Sequence, residues 1–203
     1  MAITSWAIDV KEVDGIYYEL FPSSGNALVV KHENEKYTGD IYLPDEITVD
    51  SVTYSVVLIE EETFMDCTEL TSIRLSENIW EISRRAFYGC TGLTSLVLPN
   101  SVTRIEYEAF NNCTGLTRVT LGNNLNMVEV FSFWGCDNVK EVIYAEGTKT
   151  ILPLIFPSAT SVVIPESVEI LSEFAFQWYE SLPSITIPNG VKTIMRGAFD
   201  GCI

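Results

Sequence analysis

Phenylalanine recurs along the chain at a nearly constant spacing and marks one position of a repeating unit. Seven phenylalanines hold this position: Phe64, Phe87, Phe110, Phe133, Phe156, Phe176 and Phe199. The step between them is 23 residues, except from Phe156 to Phe176, where it is 20. A fixed period of this length indicates a solenoid, in which each unit packs on its neighbours.

Aliphatic residues return six, nine and eleven places after each phenylalanine, as in Leu93, Leu96 and Leu98. The last two alternate with a residue that faces the other way, which predicts a short parallel strand in every unit. We expect these strands at Ile41–Leu43, Ile73–Leu75, Leu96–Leu98, Val119–Leu121, Val142–Tyr144, Val162–Ile164 and Ile185–Ile187. Two more apolar positions, eight and five residues before each phenylalanine, are expected to fill the layer behind this sheet.

The repeat pattern covers residues 41–203 and predicts about seven units, with the last one truncated. Residues 1–40 contain two β-rich runs, Ile16–Phe21 and Ala27–Lys31, and are expected to form an N-terminal β cap with hairpins. A further small hairpin is expected at Val49–Tyr54. Terminal repeats normally carry a polar cap, and the truncated last repeat has none. We therefore expect either that the natural protein continues or that a partner covers the C-terminal end of the solenoid.

The residues from Ala86 to Phe110 follow the pattern A-F-x-G-C-T-x-L-T-S-L-x-L-P-x-S-V-T-x-I-x-x-x-A-F. This pattern resembles the BspA-like, Treponema-type leucine-rich repeat family over residues 41–203. The fold class that follows is a β-rich α/β solenoid, a right-handed leucine-rich-repeat superhelix with an N-terminal β cap. The resemblance also implies an extracellular or cell-surface protein, since some members act in adhesion and bind host matrix proteins. It implies no shared catalytic residues.

The five cysteines, Cys67, Cys90, Cys113, Cys136 and Cys202, each stand three residues after a repeat phenylalanine. This register predicts a structural ladder of small buried side chains. Disulfides are the alternative, because adjacent coils lie about 5 Å apart, but stacked side chains point the same way and not at each other. The spacing lacks a C-x-x-C pair, so no metal site is expected.

The fifth unit departs from the pattern, because Phe156-Pro157-Ser158-Ala159 reaches its strand three residues early and has no cysteine. We expect a shortened convex turn with looser packing there. Trp134, Trp178 and Tyr179 follow repeat phenylalanines on turns. Two interpretations remain open: these aromatic residues cover the apolar surface left by the short unit, or they stay exposed and stack on sugars or a partner.

The net charge is -16, and residues 1–70 account for -12 of it with 15 acidic residues against 3 lysines. Such a field repels phosphate backbones and anionic lipid headgroups, so nucleic acid is not an expected partner. No apolar run is long enough for membrane insertion, and the start of the chain lacks a signal-peptide pattern.

Catalysis is not expected. His32 is the single histidine and stands in a polar turn away from every cysteine, which removes the common Ser-His-Asp and Cys-His schemes. The densest acidic run, Glu60-Glu61-Glu62, is typical of a solvated loop. No cofactor is expected either.

Outward positions on the predicted strands should line the concave side of the solenoid. The candidate ligand-binding residues there are Arg74, Val97, Arg118, Thr120, Glu141, Ile143, Val163 and Thr186. Apolar side chains beside arginine suit a protein ligand, for example an extracellular-matrix or host-surface protein, although β-branched residues also favour strands for their own sake. The sequence thus predicts an adhesin-like protein-binding module. The alternatives are a carbohydrate-binding module that uses the three aromatic residues and a structural surface spacer.

Overall fold

A computed structural model of the chain describes residues 9–202. Residues 1–8 of the predicted cap and Ile203 of the predicted solenoid lie outside the described residues. Within the described range the secondary structure consists of short strands without helices: β1 Val10–Val13, β2 Ile16–Phe21, β3 Asn26–Val30, β4 Gly39–Tyr42, β5 Glu46–Val49, β6 Val52–Ile59, β7 Leu70–Arg74, β8 Glu81–Ile82, β9 Ser95–Val97, β10 Arg104–Ile105, β11 Arg118–Leu121, β12 Met127–Val128, β13 Glu141–Tyr144, β14 Thr150–Ile151, β15 Ser161–Val163, β16 Ile170–Leu171 and β17 Thr193–Ile194. This arrangement is the solenoid that the repeat predicts.

The predicted strands that follow the repeat phenylalanines form what we call the main sheet. Strands β9, β11, β13 and β15 pair in parallel, one strand from each successive unit, and β4 pairs in parallel with β7. The register is strict, because Leu96, Val119, Val142 and Val162 stand opposite one another and point inwards. The main sheet confirms the strand positions in the first five units.

The predicted strand Ile185–Ile187 does not form, so the prediction is wrong at this place. In regular units the residue seven places after the repeat phenylalanine starts the pairing: the backbone N–H groups of Thr117 and Lys140 each donate to the preceding coil, and Thr160 does so in the short fifth unit, four places after Phe156. Pro183 holds this position in the sixth unit. Proline has no N–H to donate, so the first hydrogen bond of the strand is lost.

A second set of strands lies behind the main sheet, at the apolar positions before each phenylalanine. These strands are two residues long and pair in parallel as β8-β10-β12 and as β14-β16-β17. The sequence pattern placed the inward residues Ile82, Ile105 and Ile151 correctly, since they are fully buried, but it was wrong for Ile194 of the last unit, which is 53% exposed. It did not predict that they form strands, because a two-residue strand has no periodicity to detect.

The turns around the repeat phenylalanines form a third backbone ladder on the side expected to be convex. The N–H groups of Phe64, Phe87, Phe110 and Phe176 donate to the next turn, as from Phe64 to the carbonyl of Ala86 at 2.7 Å and from Phe87 to that of Ala109 at 2.7 Å. Residues two places before and two places after the phenylalanine adopt a left-handed backbone with positive φ. These positions are Glu62, Asp66, Arg85, Gly89, Glu108, Asn112, Phe131, Gly135, Phe174, Trp178, Gly197 and Gly201.

The N-terminal strands extend the second set of strands. Strands β1, β2 and β3 form an antiparallel meander, and β3 pairs in parallel with β6, which in turn pairs with β8. Strand β2 has the predicted bounds, and the predicted hairpin at Val49–Tyr54 is the β5–β6 turn, where Val49 stands opposite Val52. Tyr37 covers the first repeat phenylalanine, with a distance of 4.9 Å between its ring centroid and that of Phe64.

The repeat phenylalanines stack into a column through the core. The ring centroids of Phe64, Phe87, Phe110 and Phe133 are 4.9 to 5.0 Å apart, and the rings tilt by at most 11°. This spacing matches the distance of about 4.8 Å between hydrogen-bonded strands, so ring stacking and backbone pairing are satisfied by one repeat distance. The stacking of these four rings therefore shows that their units share one register.

The cysteines form a second column beside the rings, and all five are free thiols. The Cys90 Sγ donates to the carbonyl oxygen of Phe64 at 3.0 Å, and Cys113 and Cys136 repeat this contact one coil further on. The same Phe64 carbonyl also accepts from the N–H of Cys67. Four cysteines are buried as predicted, whereas Cys202 is exposed, so burial was wrong for this one.

We predict that Phe110→Ala lowers the free energy of unfolding by about 3 to 5 kcal/mol, because it opens a cavity in the middle of the column. Urea denaturation followed by circular dichroism measures this change. The control is Phe21→Ala, which truncates a phenylalanine that is 37% exposed and outside the column, and should cost less than about 1 kcal/mol. Equal losses for the two variants would contradict a structural role of the stack.

We also predict that iodoacetamide labels Cys202 in the folded protein and leaves the other four thiols unmodified. The thiolate is the reactive form, and burial raises the pKa of Cys67 to about 11 and that of Cys113 well above its usual range. At pH 8 these two groups are thus protonated as well as shielded. Mass spectrometry should count one label on the native chain and five after denaturation. Several labels on the native chain would show that the buried column opens.

Candidate functional site

The outward face of the main sheet presents two parallel rows of side chains. The apolar row consists of Val97, Thr120, Ile143 and Val163, which stand opposite one another on β9, β11, β13 and β15. The polar row consists of Ser95, Arg118, Glu141 and Ser161 on the same strands. The two-residue period of the strands thus separates one apolar stripe from one polar stripe on a single surface.

The apolar row is open to solvent at both ends. Val97 is 60% exposed and Val163 is 48% exposed, while Ile143 between them is half-buried. In the polar row the Nε of Arg118 lies 3.3 Å from Oε2 of Glu141, across adjacent strands. This pair is solvent-exposed and adds little stability, so it is available to rearrange when another surface approaches.

Arg74 continues the apolar row towards the N-terminal end. Its guanidinium carbon lies 5.1 Å from the ring centroid of Tyr42, which stands opposite it on β4. Beside this pair, the carboxylate of Asp40 accepts hydrogen bonds from the hydroxyls of Thr71 and Ser72. These bonds lower the pKa of Asp40 below its usual value, so the carboxylate stays ionised.

Thr186 lies apart from the other candidate residues. It is exposed, but the segment around it forms no strand, so the paired sheet does not extend to it. The structure therefore places six of the eight candidates on one paired sheet: Val97, Arg118, Thr120, Glu141, Ile143 and Val163. Arg74 has the same register on β7, which pairs with β4 and not with β9.

The turn side of the solenoid is interrupted at the fifth unit. The fourth turn receives hydrogen bonds from the third, as from the N–H of Phe110 to the carbonyl of Ser132, and the sixth turn donates to the seventh, as from Phe176 to Ala198. Between them the short segment Pro153–Pro157 takes no part in the ladder. It also lacks the two left-handed positions of a regular turn. The expected shortened turn is confirmed.

This interruption leaves a cleft between the fourth and sixth turns, which we call the turn cleft. Two adjoining cavities of about 230 and 370 Å³ make up the cleft, and both are lined by Trp134 and Ile155. The second cavity also lies against Trp178, Asp137 and Glu180. No lysine or arginine lines either cavity, so the rim is acidic.

Trp134 and Trp178 are 51% and 45% exposed and form opposite walls of the turn cleft. Tyr179 is fully buried, which agrees with the interpretation that it covers the surface of the short unit and excludes it from the alternative site of exposed aromatic residues. Its ring meets Phe156 and Phe176 edge-on, with centroids 6.3 and 5.4 Å apart. Tyr179 stands three residues after Phe176, at the cysteine position of the repeat, and this register already indicated burial.

Two further aromatic residues of the turn cleft, Phe131 and Phe174, were missed from the sequence. Each stands two residues before a repeat phenylalanine, where the regular turns carry Glu62, Arg85 and Glu108. Phe131 is 49% exposed, and its ring meets Trp134 edge-on at 5.7 Å. The replacement of charged by aromatic residues in the two turns that flank the short unit was the signal for this site.

The single histidine has a local structural contact. The Nδ1 of His32 accepts hydrogen bonds from the N–H groups of Asn34 and Glu35, and its ring packs edge-on against Tyr17. Across residues 9–202, no three His, Cys, Asp or Glu side chains gather in a group that would hold a metal ion. The same residues contain no helix that would cross a membrane.

A comparison with models of protein families identifies the type of repeat. The model described as BspA type leucine rich repeat region matches residues 45–159 and 156–203, in six copies. A comparison with curated proteins gives no match.

Solved structures of bacterial leucine-rich repeat proteins share the fold. One from Eubacterium ventriosum has a TM-score of 0.71 at 20% identity, and the alignment covers 98% of this chain and 51% of that one. A leucine rich cell surface protein from Faecalibacterium prausnitzii has a TM-score of 0.64 at 23% identity, with 96% and 52% covered. A protein from Bacteroides ovatus has a TM-score of 0.67 at 28% identity, with 94% and 50% covered.

The chain spans about half the length of these three structures. The family model, in contrast, matches well over half of the chain and follows the repeat that the phenylalanines mark. The chain therefore belongs to the BspA-type leucine-rich repeat family.

Proposed function

We propose that the protein is a non-catalytic recognition module that binds a protein ligand on the outward face of its main sheet. The observation that carries this proposal is the apolar row, which exposes Val97 and Val163 beside the Arg118–Glu141 pair. An apolar centre with arginine at its margin is typical of the parts of interfaces that contribute most to affinity.

Strand propensity alone does not explain the apolar row. Arg74 holds the position of this row on β7, and Ser95 and Ser161 hold the neighbouring row on β9 and β15. The strands therefore form without a β-branched residue at every outward position. The parallel pairing holds the row in a fixed geometry, which lowers the entropy lost on binding.

The cell surface or the extracellular space is the setting we propose for this binding. The family resemblance and the surface description of the Faecalibacterium prausnitzii protein support it. An adhesin-like role, with an extracellular-matrix or host-surface protein as ligand, is the specific form of the proposal. The net charge of -16 favours ligands with neutral or basic surfaces.

We predict that the double substitution Val97→Asp, Val163→Asp weakens binding of a protein ligand at least about tenfold, because it places two charges in an apolar contact. The probe is a panel of purified extracellular-matrix proteins and glycans immobilised side by side and tested at physiological salt. Surface plasmon resonance then gives the dissociation constant for each protein that binds.

The matched control is Val52→Asp, because Val52 is 46% exposed on the β5–β6 hairpin and outside the main sheet. Circular dichroism verifies that both variants fold. A bound protein whose affinity is the same for the double variant and the wild type would refute the main-sheet site. Retention by glycans alone would support a carbohydrate-binding module instead.

A further inference from the structure

The turn cleft contains unpaired backbone groups on both of its walls. In the regular turns, N–H groups at the phenylalanine and two residues to either side donate to the next turn, as Arg85, Phe87 and Gly89 do. In the fourth turn the corresponding N–H groups belong to Phe131, Phe133 and Gly135. No backbone or side-chain acceptor within residues 9–202 receives them. All three residues line the cleft.

The sixth turn has backbone carbonyl groups that lack hydrogen-bond donors. Regular turns accept through the carbonyls three residues before, one before and one after the phenylalanine, as Tyr107, Ala109 and Asn111 do. The corresponding carbonyls of Glu173, Ala175 and Gln177 accept no hydrogen bond from the described part of the chain. The fourth turn thus offers donors and the sixth turn offers acceptors, and one rung of the ladder is missing between them.

The walls of the cleft carry aromatic residues where regular turns do not. Trp178 has φ of 60° at a position held elsewhere by glycine, aspartate or asparagine. Such a backbone disfavours a bulky side chain, and strain of this kind is concentrated at functional sites. The indole packs directly on Gly201 of the seventh turn, where a Cβ has no room, so its other side remains available to the cleft.

We propose that the turn cleft binds an extended peptide segment of a partner protein, which completes the missing rung of the turn ladder. Its carbonyls accept from Phe131, Phe133 and Gly135, and its N–H groups donate towards the sixth turn. Turns two rungs apart leave room for one chain at about 4.8 Å from each wall, the spacing at which strands add to a sheet edge. This site is separate from the main sheet, so a test of peptide binding here does not decide the proposed function, and the reverse also holds.

The side chains of the segment are constrained by the walls. Trp134 and Trp178 favour an apolar side chain between them, and Asp137 and Glu180 favour a lysine or arginine at the rim. Neither carboxylate takes part in an ion pair within residues 9–202. An acidic segment is repelled, and a proline at a donating position removes a hydrogen bond.

The test is a selection of phage-displayed dodecapeptides on the full chain, with the Trp178→Gly variant as the counter-target. Glycine restores the residue type that regular turns carry at this position, so the variant is expected to fold while losing one wall of the cleft. We expect basic and apolar peptides to be enriched on the wild type alone. The most enriched peptide should bind at least tenfold more weakly to Trp178→Gly and to Trp134→Ala, as measured by fluorescence polarisation.

Backbone pairing is tested with the same peptide after N-methylation of alternate residues, which removes donors without changing the side chains. One of the two alternate patterns should abolish binding, while the Val97→Asp, Val163→Asp variant should bind the unmodified peptide with unchanged affinity. The proposal is overturned if no peptide is enriched over the counter-target. It is overturned equally if the peptides methylated in either pattern bind as well as the parent peptide. It is also overturned if the chain binds neutral glycans in a way that requires Trp178 and binds no peptide.

Discussion

Every regular part of this molecule depends on the register that places the same residue of successive units on top of one another. The rings of Phe64, Phe87 and Phe110 stack at about the distance at which the main sheet and the turns make their hydrogen bonds. A substitution that changes the spacing within one column therefore has to be compatible with the spacing of the others. The cysteines after Cys67 obey the same constraint, because the Sγ of each reaches the carbonyl of the phenylalanine on the coil before, whose oxygen has a second lone pair.

The fifth unit shows how much of this register can be lost while the chain remains a solenoid. At the junction between the fourth and fifth units, β12 does not pair with β14, the turn ladder stops, and the rings of Phe133 and Phe156 tilt to 60°. The main sheet continues through β13 and β15. In the core Tyr179 takes the place of a cysteine and fills the volume beside Phe156. The core is thus filled at this junction, while the turn side contains a cleft.

Much of this arrangement was predictable from the sequence because the repeat fixes both spacing and direction. The main-sheet strands, the phenylalanine column and the burial of four of the five cysteines follow from counting residues. Some errors arose where one residue was judged by its neighbours instead of its register, and others, such as the expected burial of Cys202, where the register was followed into the last unit. Tyr179 was grouped with the adjacent Trp178, although it stands at the cysteine position, and Pro183 was overlooked within an otherwise regular aliphatic pattern. Two-residue strands such as β10 leave no periodic signal. The turn cleft depends on which backbone groups lack a partner, and sequence patterns do not record this.

The two walls of the turn cleft are each held by the unit on their far side. Asn112 of the third turn donates its N–H to the carbonyl of Trp134, and Trp178 donates its own N–H to the carbonyl of Asp200 in the seventh turn. Neither of these two hydrogen bonds involves the fifth unit. A peptide that enters the cleft would find donors and acceptors already aligned, so the entropy that loop ordering normally costs is largely avoided. The same short unit that weakens the solenoid at this junction is therefore what makes its turn side suited to binding.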